Sequence, residues 1–166
     1  MLESGADSFA GQIPLVLKMN SANSLYPKSE DYQPNQAVTA TVDDALRLGC
    51  TAIGFTIYPG SGDSFDQFEE IRDLIAEAKA AGLASIVWSY PRGGFLKSVD
   101  ETAVDICTYG AHMAALLGAH IIKVKLASAD MMQDEAKKVY KAEKIAVKTQ
   151  ADREETGEEK IGRTPT

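Results

Sequence analysis

Gly118-Ala119-His120-Ile121-Ile122-Lys123-Val124-Lys125-Leu126 is a glycine followed by branched apolar residues and two lysines. The glycine reads as a helix stop, and the run after it, 119–126, as a parallel strand buried on both faces. A lysine in such a strand loses hydration, which disfavours its ammonium form and lowers its pKa. A neutral amine in an interior is what condensation with a carbonyl requires. The plainer alternative is a lysine whose stem packs in the sheet while its head reaches water at the strand end.

Upstream, the same unit recurs. Glycine stops stand at Gly49, Gly82 and Gly118, 33 and 36 residues apart, about the length of a βα unit. Apolar strands are expected over 52–58 and 84–90, and a further one over 14–19, joined to the first helix by a polar loop rich in Ser, Asn and Pro. The helix before Gly49 opens at Thr41 with Asp44 three residues on. The next opens at Ser64 with Gln67, and the third at Ser98 with Glu101, both in the form of a capping box. Phe65, Phe68, Ile71, Ile75 and Ala78 fall at helical spacing, as do Ile106, Tyr109, Met113 and Leu116. A last helix is expected over 133–144. Such alternation signals an α/β fold with a parallel sheet, either closed as a barrel or open and doubly wound. No glycine-rich dinucleotide or phosphate loop follows any strand. From about residue 149 the chain is densely charged and poor in apolar residues, so 149–166 is expected to be a disordered or loosely attached tail.

The bulk properties limit the function classes. A chain of 166 residues, 45% hydrophobic and 25% charged, suits one globular domain. A net charge of -7 argues against nucleic acid or an anionic membrane as partner. It leaves room for a small anionic substrate met by a local cluster of cations. Cys50 and Cys107 lie far apart in apolar contexts, away from His112 and His120, so neither a disulfide framework nor a metal site is expected. No stretch reaches membrane-spanning length, and the first residues lack the pattern of a secretory leader, so a cytoplasmic protein is expected.

In parallel α/β sheets functional groups gather at the carboxyl ends of strands. Here those ends read Lys18-Met19-Asn20, Thr56-Ile57-Tyr58-Pro59-Gly60, Trp88-Ser89-Tyr90-Pro91-Arg92-Gly93-Gly94, and Lys123-Val124-Lys125. Strand alternation puts Trp88 and Tyr90 on one face, and Lys123 and Lys125 on one face. If Ile122, Val124 and Leu126 pack under the helices, both lysines point inward. An amine, a phenol and a guanidinium in one pocket suit carbonyl chemistry on an anionic substrate.

The Trp-Ser-Tyr-Pro-Arg-Gly-Gly motif at 88–94, followed by Gly118-Ala119-His120-Ile121-Ile122-Lys123-Val124-Lys125, resembles the class I fructose-bisphosphate aldolases of archaeal and bacterial type. The stretches Gly11-Gln12-Ile13-Pro14, 18–25 and 50–60 are similar to the same family, and the similarity runs from residue 1 to about 151. The resemblance implies a (β/α)8 barrel that forms a Schiff base with its substrate and needs no metal or other cofactor. It implies Lys123 as the Schiff-base lysine, which the residues alone do not separate from Lys125. It implies Tyr90 as the general acid/base and Trp88 as a residue packed beside the lysine to exclude water. Arg92, Lys18 and Lys125 are the substrate-binding candidates, with Arg92 suited to a phosphate. Against these stand plainer readings: Trp88 and Tyr90 as core aromatics, Arg92 as a solvated loop residue, Lys18 as structural. His112 and His120 read as structural. Asp100 and Glu101 read as helix-start residues favoured by the dipole rather than as catalytic carboxylates.

Only four strands are legible, whereas a complete barrel takes about 250 residues. Residues 1–148 therefore read as a partial barrel, resembling the third to sixth units of the family. Together with the abrupt change after residue 151, this suggests a truncated or frame-shifted version, or an excerpt, of an aldolase. The expected activity is reversible cleavage of fructose 1,6-bisphosphate. The alternatives are a Schiff-base aldolase or transferase acting on another phosphorylated keto-sugar, and a non-catalytic remnant. Open sheet edges and an uncovered apolar inner face in a four-stranded piece predict marginal stability, self-association as a homo-oligomer or strong aggregation, and little or no catalysis by the isolated chain.

Overall fold

The structure is a computed structural model that describes residues 2–25 and 32–142. In chain order the elements are helix α1 (Leu2–Phe9), strands β1 (Val16–Lys18), β2 (Asn20–Ser21) and β3 (Ala37–Val38), helix α2 (Val42–Arg47), strand β4 (Ala52–Ile57), helix α3 (Ser64–Ala80), strand β5 (Ala84–Ser89), a 3-10 turn (Asp100–Thr102), helix α4 (Val104–Leu116), strand β6 (Ile121–Lys123) and helix α5 (Asp134–Ala142). The expected tail at 149–166, the domain boundary at 148 and the last two residues of the expected final helix lie outside the described residues.

β1, β4, β5 and β6 form one parallel sheet in the order β1-β4-β5-β6. This is the α/β architecture of a partial barrel, and no closed barrel forms among the described residues. Register puts Lys18 beside Gly54, Thr56 beside Trp88, and Trp88 beside Lys123. Because aligned residues of a parallel pair share a face, the sheet has two distinct sides. Ile53, Phe55, Ile57, Val87 and Ile122 point to the side covered by α3 and α4, where they join Ile71, Ile75, Ala78, Ala114 and Leu117 in the core. Lys18, Gly54, Thr56, Ile86, Trp88 and Lys123 point to the other.

The glycine stops act as read. Gly49, Gly82 and Gly118 all have positive φ, which lets each helix turn directly into the next strand. A closer approach occurs at Gly110, where a Cβ would stand 2.9 Å from the Pro91 ring, so α4 packs hard on the end of β5. Ser89 Oγ donates to the Gly110 carbonyl at 2.8 Å across the same seam.

α2 starts where expected, after Thr41, and a capping box forms there. Thr41 Oγ1 accepts from the Asp44 amide at 3.1 Å, and the Asp44 carboxylate accepts from the Thr41 amide at 3.0 Å. The two boxes expected at Ser64 and Ser98 do not form. α3 takes Asp63 as its N-cap residue, and buried Gln67 instead accepts from the Tyr58 amide at 3.1 Å, satisfying a donor at the end of β4. α4 starts at Val104, six residues after Ser98, because residues 100–102 close a separate 3-10 turn.

β6 departs most from expectation. It pairs over Ile121–Lys123 only, and it is an edge strand with no outer partner among the described residues. Val124 is 37% exposed and Leu126 92% exposed, so neither packs under a helix. The chain turns away after Lys123 because other bonds hold it. Ser128 donates its amide to the Thr102 carbonyl at 2.7 Å, and Val104 donates to Asp130 at 2.9 Å, folding residues 124–130 over the start of α4. The expectation of a strand buried on both faces at 119–126 is therefore corrected: Lys123 is exposed.

Candidate active site

The polar groups collect where β1, β4, β5 and β6 end. Loops after β4 and β5 are tied together, Tyr90 donating its amide to Ile57 and Arg92 donating to Pro59, each at 3.0 Å. Gly94 passes so close to the Gly60 carbonyl that a Cβ would lie 2.6 Å from its oxygen. The Pro-Arg-Gly-Gly loop is thus built for tight backbone packing, which fixes where Arg92 emerges.

Two connected clusters follow. In the first, Lys18 donates its ammonium to the Asn20 backbone carbonyl, to Asn20 Oδ1 at 2.6 Å and to Gln36 Oε1 at 2.7 Å. Asn20 is fully buried and bonds both ways to the Thr56 backbone, at 2.8 and 2.9 Å. Gln36 donates in turn to the Tyr58 hydroxyl at 2.8 Å. Burial pulls the Lys18 pKa down to about 8. Its three hydrogens are committed within the chain, which favours the structural role weighed for it over direct substrate contact.

In the second cluster, the Glu101 carboxylate accepts from Lys125 Nζ at 2.5 Å and from Arg92 Nε at 3.3 Å. Arg92 also lies over the Tyr58 ring, 5.8 Å from its centroid, which joins the two clusters. Burial alone would raise the Glu101 pKa, but the bonds from Lys125 and Arg92 outweigh it and hold the carboxyl below its ordinary value.

Of the residues expected at the site, Arg92 and Lys125 meet on Glu101. Trp88 and Lys123 are register partners on adjacent strands, and half-buried Tyr90 follows Trp88 by two residues. Lys18 joins this group only through Gln36 and Tyr58. His120 lies elsewhere, its Nδ1 accepting from the Ser85 amide at 3.1 Å at the other end of β5.

Glu101 is the residue that sequence reasoning assigned to a different task. Its buried carboxylate is no helix-start charge for α4, because the helix begins three residues later. The missed signal was arithmetic of charge. Two cations expected in one pocket need a counter-charge, and Glu101 is a carboxylate between Arg92 and Lys125 in sequence. Asn20, Gln36 and Tyr58 were also unassigned, and no local pattern marks them.

Comparison with known proteins fits this arrangement. A class 1 fructose-bisphosphate aldolase of Thermoproteus tenax is 42% identical over 117 residues, covering 70% of this chain and 42% of that protein. The Halobacterium salinarum enzyme of the same name is 38% identical over 118 residues, covering 71% and 43%. The crystal structure of an archaeal fructose 1,6-bisphosphate aldolase matches with a TM-score of 0.65 at 39% identity, covering 74% of this chain and 47% of that one. Another archaeal structure, with its catalytic lysine covalently bound to the carbinolamine intermediate, matches with a TM-score of 0.65 at 37% identity and the same coverage. The chain spans under half the length of these relatives. Residues 1–165 match the DeoC/LacD family aldolase, and with relatives of this similarity the chain belongs to that family.

Proposed function

We propose that this chain carries the Schiff-base centre of a class I fructose-bisphosphate aldolase. The reading rests on one observation above others: Lys123 is the register partner of Trp88, with Tyr90 and Arg92 following on the same strand end. It is supported by 37% identity to an aldolase whose catalytic lysine forms a carbinolamine.

In this reading the Lys123 amine attacks the C2 ketone of fructose 1,6-bisphosphate. Tyr90 gives a proton to the carbinolamine oxygen, which leaves as water to form the iminium. Loss of the C4 hydroxyl proton then breaks the C3–C4 bond, releasing glyceraldehyde 3-phosphate and leaving an enamine. Protonation at C3 and hydrolysis free dihydroxyacetone phosphate and the lysine. Trp88 shields the amine from water on one side, while Arg92 and Lys125 take a phosphate. Lys18 contacts substrate only by giving up its bond to Gln36.

The test is borohydride trapping with dihydroxyacetone phosphate. A reduced adduct mapped by mass spectrometry to Lys123, and lost in Lys123→Arg, is the expected result. No adduct at any lysine would leave the non-catalytic remnant as the answer. A second reading, another phosphorylated keto-sugar as substrate, draws support from a Methanocaldococcus jannaschii relative. That protein is named fructose-bisphosphate aldolase/6-deoxy-5-ketofructose 1-phosphate synthase and is 37% identical over 125 residues. Cleavage rates on several keto-sugar phosphates separate the two.

The proposal extends to context. We read the partial barrel as spanning residues 1–148; the charged stretch 149–166 lies largely within the family match but outside the described residues. The exposed Ile121 and Leu126 beside the edge of β6, which has no outer partner among the described residues, favour a homo-oligomer, and sedimentation giving only monomer at micromolar concentration would remove that part. No helix among the described residues is long and apolar enough to cross a membrane. Two buried free cysteines suit a reducing cytoplasm.

A further inference from the structure

Glu101 occupies a place that the aldolase reading leaves without a task. Its side chain is 11% exposed, and it lies in a turn that is closed on itself and tied to the segment after β6. Within the turn, Lys97 donates its amide to the Asp100 carboxylate at 3.0 Å, and Asp100 donates back to the Lys97 carbonyl at 2.9 Å. On the β6 side, Ser128 bonds the Thr102 carbonyl and Val104 bonds Asp130. The carboxylate is therefore held between the loop that carries Arg92 and the strand end that carries Lys125.

The two cations use little of their capacity on it. Arg92 spends only Nε on Glu101, and neither Nη forms a hydrogen bond among the described residues. Its backbone amide is pinned to Pro59 and its guanidinium rests on Tyr58, so the outer edge of the fork is aimed rather than free to wander. Lys125 keeps two further hydrogens. One carboxylate against two cations leaves the cluster net positive, within a chain whose overall charge is -7. An outward guanidinium edge beside an ammonium is a receptor for a tetrahedral dianion.

We propose that Glu101 is the positioning residue of this site, its carboxylate holding Arg92 and Lys125 as a pair that receives one phosphate of the substrate. The identity of that substrate rests on the aldolase reading; the paired receptor itself does not. The competing account is a structural ion pair that merely fastens the turn, and a further one is a carboxylate that competes with phosphate.

The test titrates inorganic phosphate into the parent chain and into Glu101→Gln and Glu101→Asp. Loss of the charge that orders both cations weakens phosphate binding about tenfold in Glu101→Gln, with Glu101→Asp between that and the parent. Glu101→Asp also carries the test should Glu101→Gln not fold, since it keeps the charge and is one methylene shorter. The same proteins are trapped by borohydride with dihydroxyacetone phosphate and with dihydroxyacetone. The preference for the phosphorylated ketone falls in Glu101→Gln while trapping of the plain ketone holds, whereas a structural defect lowers both together. Phosphate binding that is absent in the parent, or unchanged or tighter in Glu101→Gln, overturns the proposal. An equal loss of both ketones overturns it as well. Phosphate binding that responds to Glu101 with no adduct at any lysine sustains the receptor and removes the aldolase reading instead.

Discussion

The two faces of the sheet are built from the same strands and treated oppositely. Alternation along β5 sends Ser85, Val87 and Ser89 to the helix-covered side, where all three are buried, and Ala84, Ile86 and Trp88 to the other, where they stay half-covered. On the covered side Phe55, Ile53, Ile57 and Val87 are sealed by α3 and α4. On the open side stand a glycine, a tryptophan, the exposed Lys123, and Lys18 held by side-chain bonds. Cohesion is concentrated on the first face and the candidate site on the second. A residue can therefore be changed for its effect on one with modest effect on the other.

The largest effect expected from breaking this contrast comes at Phe55. It is wholly buried on the central strand, so Phe55→Ala deletes a ring from the centre of the core and costs about 3–5 kcal/mol. Ile86→Ala, on the neighbouring strand but on the open face, leaves less of a cavity and costs well under that. Chemical denaturation of both variants checks the pair. Equal losses would mean that the open face is as cohesive as the covered one.

Gly54 sharpens the contrast from the open side. A Cβ there would stand 2.2 Å from Trp88 Cζ3 and 2.5 Å from Cη2, so the six-membered ring of the indole presses on bare backbone. Gly54→Ala forces the ring aside at a cost of about 1–3 kcal/mol. Trp88 is the chain's single tryptophan, so its fluorescence reports the displacement directly. Because Trp88 neighbours Lys123, borohydride trapping at Lys123 falls as well, by more than the stability loss accounts for. Unchanged emission and trapping would show that the indole does not set the lysine's surroundings.

What could be read from sequence follows the same divide. β4 and β5 were legible to within a residue at each end, because a positive-φ glycine and a branched apolar run are sufficient local causes. The helix start at Thr41 was legible because Thr41 and Asp44, the partners that cap it, lie within one turn. Ser64 with Gln67 and Ser98 with Glu101 are spelled the same way, yet each side chain is claimed by a distant group. Gln67 bonds the Tyr58 amide, and Glu101 bonds Lys125, 24 residues along the chain. Local spelling cannot register a competitor that only the fold brings near. β6 failed for a related reason: branched residues look alike in a central strand and an edge strand, and only the lack of an outer neighbour among the described residues makes the difference. The two-residue strands β2 and β3 carry too little pattern to be seen, although they bring Asn20 and Gln36 to Lys18.

The smallest expected effect concerns Lys18, where the open face borrows a property of the covered one. Burial lowers its pKa from the ordinary 10.5 to about 8 in the folded chain. Between those values the unfolded chain binds more protons at this residue than the folded one, so stability gains a contribution that rises with pH from about 8 to 10.5. Below about 8 both states are protonated, and the cost of burying the charge is fully present. Lys18→Met removes that contribution, along with the hydrogen bonds to Asn20 and Gln36. Relative to the parent, the variant should therefore lose ground as pH rises through this window, a trend readable in urea midpoints at several pH values. Parallel curves would mean that Lys18 stays charged and solvated, and that the open face is wetter at β1 than its hydrogen bonds imply.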